Sequence, residues 1–258
     1  MCPIGIWLVY DILSLWGVGF TGVAKHAREK REITMSETKR RDFLKGTALT
    51  MAGAGFLATA ASNASAQTEQ PKVRRIIAIN GSHRAGMTTA AGLRLVLESA
   101  KEADSSLETE LIELASIDFN QAVVGGDQPD DALTPVLDKI ASPECVGLII
   151  GSPVYFMLPT GRCVSFISRL QPLRRAGVFR NMVFGAVATG AARNGGQETV
   201  LQALFSSALP FQVLVAVDGR WGATFWNQND SIEQDSLGQN AAKYLGIRMA
   251  ELINMVWK

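Results

Sequence analysis

Three runs of apolar residues without polar alternation recur along the chain, each closing on a glycine or a hydroxyl residue and each followed by a segment of helical periodicity. Arg75-Ile76-Ile77-Ala78-Ile79-Asn80 stops at Gly81, Val146-Gly147-Leu148-Ile149-Ile150 stops at Gly151, and Met182 to Ala188 stops at Thr189. A strand with one wet face alternates polar and apolar side chains. A run without alternation belongs to a strand covered on both faces. Leu107 to Leu114 does alternate, which places a further strand nearer a sheet edge, and Phe211 to Val217 reads as a fifth. Between them lie helical patterns over 88–103, from a cap at Asp130-Asp131 to about 141, and over 160–170, 197–208 and 235–257. In the first of these Leu93, Val96, Leu97 and Ala100 share a face; in the last, Ala241, Leu245, Ile247, Met249 and Leu252 are among the apolar positions. Strands alternating with helices predict an α/β chain: a doubly wound, five-stranded parallel sheet covered on both sides. In such sheets ligands bind beyond the carboxyl ends of the strands, beside the reversal of strand order.

That rule directs attention to three loops. Strand one leads into Gly81-Ser82-His83-Arg84-Ala85-Gly86-Met87-Thr88-Thr89 and straight on to a helix. Hydroxyls, glycines and an arginine at a helix N-terminus suit a phosphate, because free backbone N–H groups and the positive end of the helix dipole favour an anion. The loop is neither a Walker P-loop nor a G-x-G-x-x-G fingerprint. Strand three leads into Gly151-Ser152-Pro153-Val154-Tyr155-Phe156-Met157-Leu158-Pro159-Thr160, where two prolines stiffen an aromatic loop able to hold a flat ring. Strand four leads into Thr189-Gly190-Ala191-Ala192-Arg193-Asn194-Gly195-Gly196-Gln197-Glu198, whose glycines allow close backbone approach to a ligand. Each loop alone would also serve as an ordinary connection. Their common position gives them weight. His83 is read as a solvent-side loop residue, not a catalyst.

Taken together, the loops resemble the NADPH-dependent FMN reductase branch of the flavodoxin-like superfamily, over about Arg74 to Leu209. The Arg193-to-Glu198 stretch is especially similar to the iron–sulfur flavoproteins within it. The resemblance implies a flavodoxin-like FMN-binding domain. Ser82, Arg84, Thr88 and Thr89 would hold the phosphate, Pro153, Val154, Tyr155 and Phe156 would line the ring, and Gly190 and Gly195 would admit backbone to its pyrimidine side. It implies an oxidoreductase with NAD(P)H as reductant, exchanging electrons with small-molecule donors and acceptors. No catalytic side chain and no metal ligand are assigned. A non-enzymatic flavodoxin-like electron carrier or flavin-binding protein is the alternative. The chain departs from the iron–sulfur branch between strands two and three, where Asp118 to Gly126 holds no cysteine, so no iron–sulfur cluster is expected.

Ahead of this domain, residues 1–66 carry eight Lys/Arg against five Asp/Glu, so the basic excess sits in the leader. With a net charge of +1 for the whole chain, nucleic-acid binding is not expected. Arg40-Arg41 with Phe43-Leu44-Lys45, a mild apolar run from Thr47 to Ala61 and the small residues Ala64-x-Ala66 resemble a twin-arginine signal peptide over 35–66. The expectation is passage through the twin-arginine translocase, cleavage near Ala66 and a periplasmic or otherwise exported domain over 67–258. Residues 1–34 read as an over-extended start preceding Met35. The alternative is a membrane segment over 3–24, disfavoured by the central Asp11. Cys145 and Cys163 fit core positions, with a disulfide between them and a homo-oligomeric state left open.

Overall fold

The computed structural model describes residue 71 and residues 73–122, 128–192, 194–219, 222–226 and 232–257. Arg40, Arg41, Ala66, the stretch 3–24, residues 123–126 and Arg193 lie outside them. The chain divides between Thr68 and Glu69, and the described residues all lie in the second unit.

Among the described residues, six strands form one parallel sheet: β1 (Arg74–Asn80), β2 (Leu107–Glu113), β3 (Cys145–Pro153), β4 (Val183–Gly190), β5 (Leu214–Val215) and β6 (Ala223–Trp226). The helices are α1 (Thr88–Ala103), α2 (Thr134–Ala141), α3 (Gly161–Arg169), α4 (Gln171–Arg175), α5 (Gln197–Ala208) and α6 (Ser236–Val256). The strand order β2-β1-β3-β4-β5 is the flavodoxin-like one, with its switch point between β1 and β3.

The unalternating apolar runs have the cause expected of them. Ile77 and Ile79 join Leu148, Ile150 and Phe184 beneath α2, α3 and α5, against Ile140, Phe166 and Leu201. Ile76 and Ala78 join Ile149 and Val187 on the opposite face, against Leu93 and Val96 of α1 and Leu245 and Met249 of α6. Period-two geometry sends neighbouring residues to opposite faces, so both faces must be apolar. β2, at the edge, buries only Leu107 on one face and Ile112 on the other.

Two elements differ from expectation. The fifth strand does not run from Phe211 to Val217: Phe211 closes a 3-10 turn (Leu209–Phe211) and Gln212 is left-handed, with φ of 61°. Only Leu214 and Val215 pair with the start of β4, and the end of β4 pairs instead with β6. The chain leaves the sheet after Ala216 at a turn where Gly219 has φ of +93° and the Asp218 carboxylate accepts from Gly222 N–H at 3.0 Å. It then returns to complete the same sheet position. Likewise α2 begins at Thr134, not at Asp130-Asp131. The Asp131 carboxylate is taken up by Leu133 N–H (3.0 Å) and by Arg169, so it organises the turn before the helix.

Candidate functional site

The strand register brings the three loops together. Asn80 lies opposite Glu113 on one side and Gly151 on the other, and Pro153 lies opposite Thr189, so β1 to β4 end side by side. Beyond those ends opens a cleft of about 210 Å³ lined by the β1, β3 and β4 loops.

At one end of the cleft the β1–α1 loop is held from within. Ser82 N–H donates to Asn80 Oδ1 (3.0 Å), and Arg84 N–H donates to Ser82 Oγ (3.0 Å). Gly86, left-handed at φ of +71°, donates its N–H to the Glu113 carboxylate at 2.9 and 3.1 Å. The residue entering α1 is Met87, and no side chain caps the helix. The first N–H groups of a helix lack intrahelical acceptors, so an uncapped N-terminus facing a cleft is matched to an anion. Ser82, Thr88 and Thr89 are buried in the cleft wall, and Arg84 stands exposed at its mouth. Thr89 and Thr189 share a 2.7 Å hydroxyl–hydroxyl hydrogen bond that ties α1 to the end of β4.

At the other end the β3 loop is rigid. Val154 N–H donates to Thr189 O (2.8 Å), and Thr160 N–H donates to Ser152 Oγ (3.0 Å), closing the loop at its base. Thr160 caps α3 by accepting from Cys163 N–H at 3.0 Å and donates to Gly81 O at 2.5 Å, fastening this loop to the first. Its tip is a two-residue turn: Tyr155 and Leu158 exchange backbone hydrogen bonds of 3.0 Å around Phe156 (φ 50°) and Met157 (φ 67°). Bulky residues rarely adopt positive φ. The turn throws the Phe156 ring outward, 97% exposed, so it is not part of the cleft wall.

The third loop starts from Gly190, which lines the cleft. A Cβ there would lie 2.5 Å from Gln197 Nε2. That amide donates to Ala192 O (2.8 Å) and Phe225 O (3.3 Å), joining the loop to β6 and leaving Gln197 Oε1 buried without a partner. Gly195 is outside the lining; a Cβ there would sit 2.7 Å from Ala192 O, so its glycine serves the loop's own turn.

Of the residues singled out from sequence, Ser82, Arg84, Thr88, Thr89, Pro153, Val154, Tyr155 and Gly190 line one cleft, and Phe156 and Gly195 do not. Met87, Thr189 and Ala191 also line it. Thr189 carried a readable signal, a hydroxyl residue closing a buried strand, whereas Glu113 and Asn80 looked like ordinary strand-end residues. His83 is exposed, its ring edge-on to Tyr155 at 6.1 Å between centroids. Cys145 and Cys163 are buried and unpaired. Burial pushes both thiols up to about 12, which makes Cys163, beneath Gly81, a packing group and not a nucleophile.

The residues fit a flavin mononucleotide. A phosphate suits the uncapped helix end with its hydroxyls and arginine, and a flat ring suits the stiff loop of Pro153, Val154 and Tyr155. Residues 74–228 match the family described as NADPH-dependent FMN reductase. An iron–sulfur flavoprotein of Methanocaldococcus jannaschii is 31% identical over 194 residues, 71% of this chain and 100% of that protein. One from Archaeoglobus fulgidus is 30% identical over 199 residues, 69% of this chain and 94% of the relative. Among solved structures, RosB, with bound 8-demethyl-8-formylriboflavin-5'-phosphate, aligns with a TM-score of 0.59 at 16% identity, covering 71% of this chain and 80% of RosB. The apo form of the NADH:FMN oxidoreductase EMOB aligns with a TM-score of 0.52 at 22% identity, covering 68% and 89%. At those identities the structural likeness speaks to the fold. The extent of the sequence match speaks to descent: this chain belongs to the NADPH-dependent FMN reductase family.

Proposed function

We propose that the protein is an FMN-dependent oxidoreductase of the NAD(P)H-dependent FMN or quinone reductase type, exported by the twin-arginine route. The observation that carries the FMN reading is the uncapped N-terminus of α1, opening with Ser82, Arg84, Thr88 and Thr89 onto the same cleft as Pro153, Val154, Tyr155 and Gly190. The flavin, when bound, supplies the electron chemistry; the chain supplies position and electrostatics. Ser82, Arg84, Thr88, Thr89 and the α1 amides would hold the phosphate. Pro153, Val154 and Tyr155 orient the ring, and Gly190 leaves room along its pyrimidine edge. The relatives are named iron–sulfur flavoproteins, but such clusters are held by four cysteine thiolates. This chain has three cysteines, at positions 2, 145 and 163, and the two described ones are buried apart from the cleft lining, so the reading is of flavin without a cluster.

Titrating FMN and riboflavin into the purified protein tests the site. FMN binding, with a flavin absorption band, is expected, and a protein that takes up neither flavin defeats the proposal. Arg84→Ala should weaken FMN by roughly one to two powers of ten, since a charge-assisted hydrogen bond contributes about 1.5–3 kcal/mol. Riboflavin, which lacks the phosphate, should bind the variant as before. Steady-state oxidation of NADH or NADPH by the FMN-loaded protein is expected; its absence would make the protein an electron carrier.

Export is tested separately. Replacing Arg40 and Arg41 together by Lys retains charge and removes the guanidinium forks. Processing near Ala66 and appearance outside the inner membrane should then stop, and normal processing of the double-Lys variant would remove the twin-arginine assignment.

A further inference from the structure

We infer that Glu113, at the carboxyl end of β2, is the residue that sets the shape of the anion loop and thereby its preference for a phosphate-bearing flavin. The inference rests on the FMN reading above. A carboxylate beside an anion site is costly on charge alone, and Glu113 lies one strand away from the cleft. Its hydrogen bonds give the reason for it. Both oxygens accept from Gly86 N–H, at 2.9 and 3.1 Å, and Oε2 also accepts from Asn80 Nδ2 at 3.0 Å. Asn80 in turn is fixed in orientation, because its Oδ1 accepts from Ser82 N–H at 3.0 Å. Arg94 of α1 approaches Oε1 at 3.3 Å and offsets the charge. One side chain from β2 therefore governs both ends of the loop that runs from Ser82 to Gly86. It does so directly at Gly86 and through Asn80 at Ser82.

The consequence is preorganisation. Gly86 donates its N–H to Glu113 and is itself left-handed at φ of +71°, and the next residue, Met87, enters α1 without a side-chain cap. A loop already held in that shape does not have to be ordered by the ligand, and ordering costs binding free energy. Losing Glu113 should release the loop and weaken only the ligand that uses it.

The experiment is a titration of FMN and riboflavin into the full chain and its Glu113→Ala and Glu113→Gln variants, read by flavin fluorescence quenching. Glu113→Ala is expected to weaken FMN about tenfold, the scale of one hydrogen bond, and to leave riboflavin within about twofold. Glu113→Gln is expected to leave riboflavin unchanged and to fall between wild type and Glu113→Ala for FMN, because an amide oxygen in the place of Oε2 can accept from Gly86 and Asn80 together, whereas the amide NH2 in the place of Oε1 meets Gly86 N–H and Arg94 as donors. That partial rescue separates positioning from charge. The inference is overturned if Glu113→Ala leaves FMN affinity unchanged, if it weakens both flavins equally, or if Glu113→Gln is as impaired as Glu113→Ala; the FMN reading survives each of these. A wild-type chain that binds neither flavin overturns the FMN reading, and this inference with it.

Discussion

Arg169→Met is expected to destabilise the folded chain by about 3–5 kcal/mol, the range for breaking one partner out of a buried ion pair. The Arg169 side chain is 0% exposed and meets the Asp131 carboxylate with both terminal nitrogens, at 2.8 and 3.2 Å. The same nitrogens donate to Asn120 O (2.9 Å) and Pro129 O (2.7 Å). Asp131 also accepts from Asn120 N–H and Leu133 N–H. One arginine from α3 thus fastens both described ends of the segment between β2 and α2, the segment in which no cysteine stands. Removing it strands a carboxylate and two carbonyls. Urea unfolding at neutral pH measures the loss. The Arg169→Met/Asp131→Leu double variant should recover part of it, since Arg169 Nε is itself buried without a partner and the pair is not fully satisfied. Acid provides a second reading. Hydrogen bonds from Arg169 hold the Asp131 carboxyl below its ordinary 3.8, at about 2. A carboxyl lowered in the folded state contributes stability above its unfolded value and loses it as pH falls. The wild type should therefore lose roughly 2 kcal/mol between about pH 4 and 2 from this group, and Arg169→Met should lose less, since only the Asn120 and Leu133 N–H groups would still favour the carboxylate. Identical acid profiles for the two proteins would remove the pair from the stability account.

Gly81→Ala is expected to damage fold and site together. An alanine Cβ would lie 2.7 Å from Cys163 Cβ and 2.9 Å from Gly151 O, so the β1 and β3 ends or α3 must shift. Overpacking of this kind costs about 1–3 kcal/mol. Gly81 N–H donates to Gly151 O at 2.7 Å, and its carbonyl accepts from Thr160, so the shift reaches both the anion loop and the ring loop. FMN and riboflavin should both weaken by more than about tenfold, unlike Arg84→Ala, which spares riboflavin. Cys163→Gly in the same chain should recover only part of the stability, because the clash with the Gly151 carbonyl remains. Melting temperature and flavin titration of the single and double variants decide the matter, and a Gly81→Ala protein with wild-type behaviour in both would contradict the packing described here.

Much of the cleft was legible because its residues follow directly on buried strands. Ser82, Thr88, Pro153 and Gly190 lie within a few residues of apolar runs that could only be central strands, and parallel packing puts every such run's carboxyl end on one side. Phe156 shows the limit of that logic. Its place in the loop was plain, yet its direction depended on a turn with two non-glycine residues at positive φ, which no local pattern announces. Gly195 shows another: a glycine can serve a ligand or its own loop, and here it lies outside the cleft lining, with Ala192 O in the space a Cβ would need. Asp caps helices well, so the local sequence predicts a cap at Asp131, but a guanidinium 38 residues away meets its carboxylate with both terminal nitrogens and the helix begins at Thr134.

By itself the sequence determined the layered α/β architecture, the parallel sheet and the three loops, because burial on both faces demands unalternating apolar strands and the glycines, prolines and hydroxyls mark where those strands stop. Only the tertiary structure decided which polar side chains work together. The composite fifth position built from β5 and β6, the hold of Glu113 on Gly86 and the burial of Arg169 against Asp131 all join residues distant in the chain. Their hydrogen bonds depend on strand register and helix placement, and those are settled by the packing of the whole core, not by any local stretch of residues.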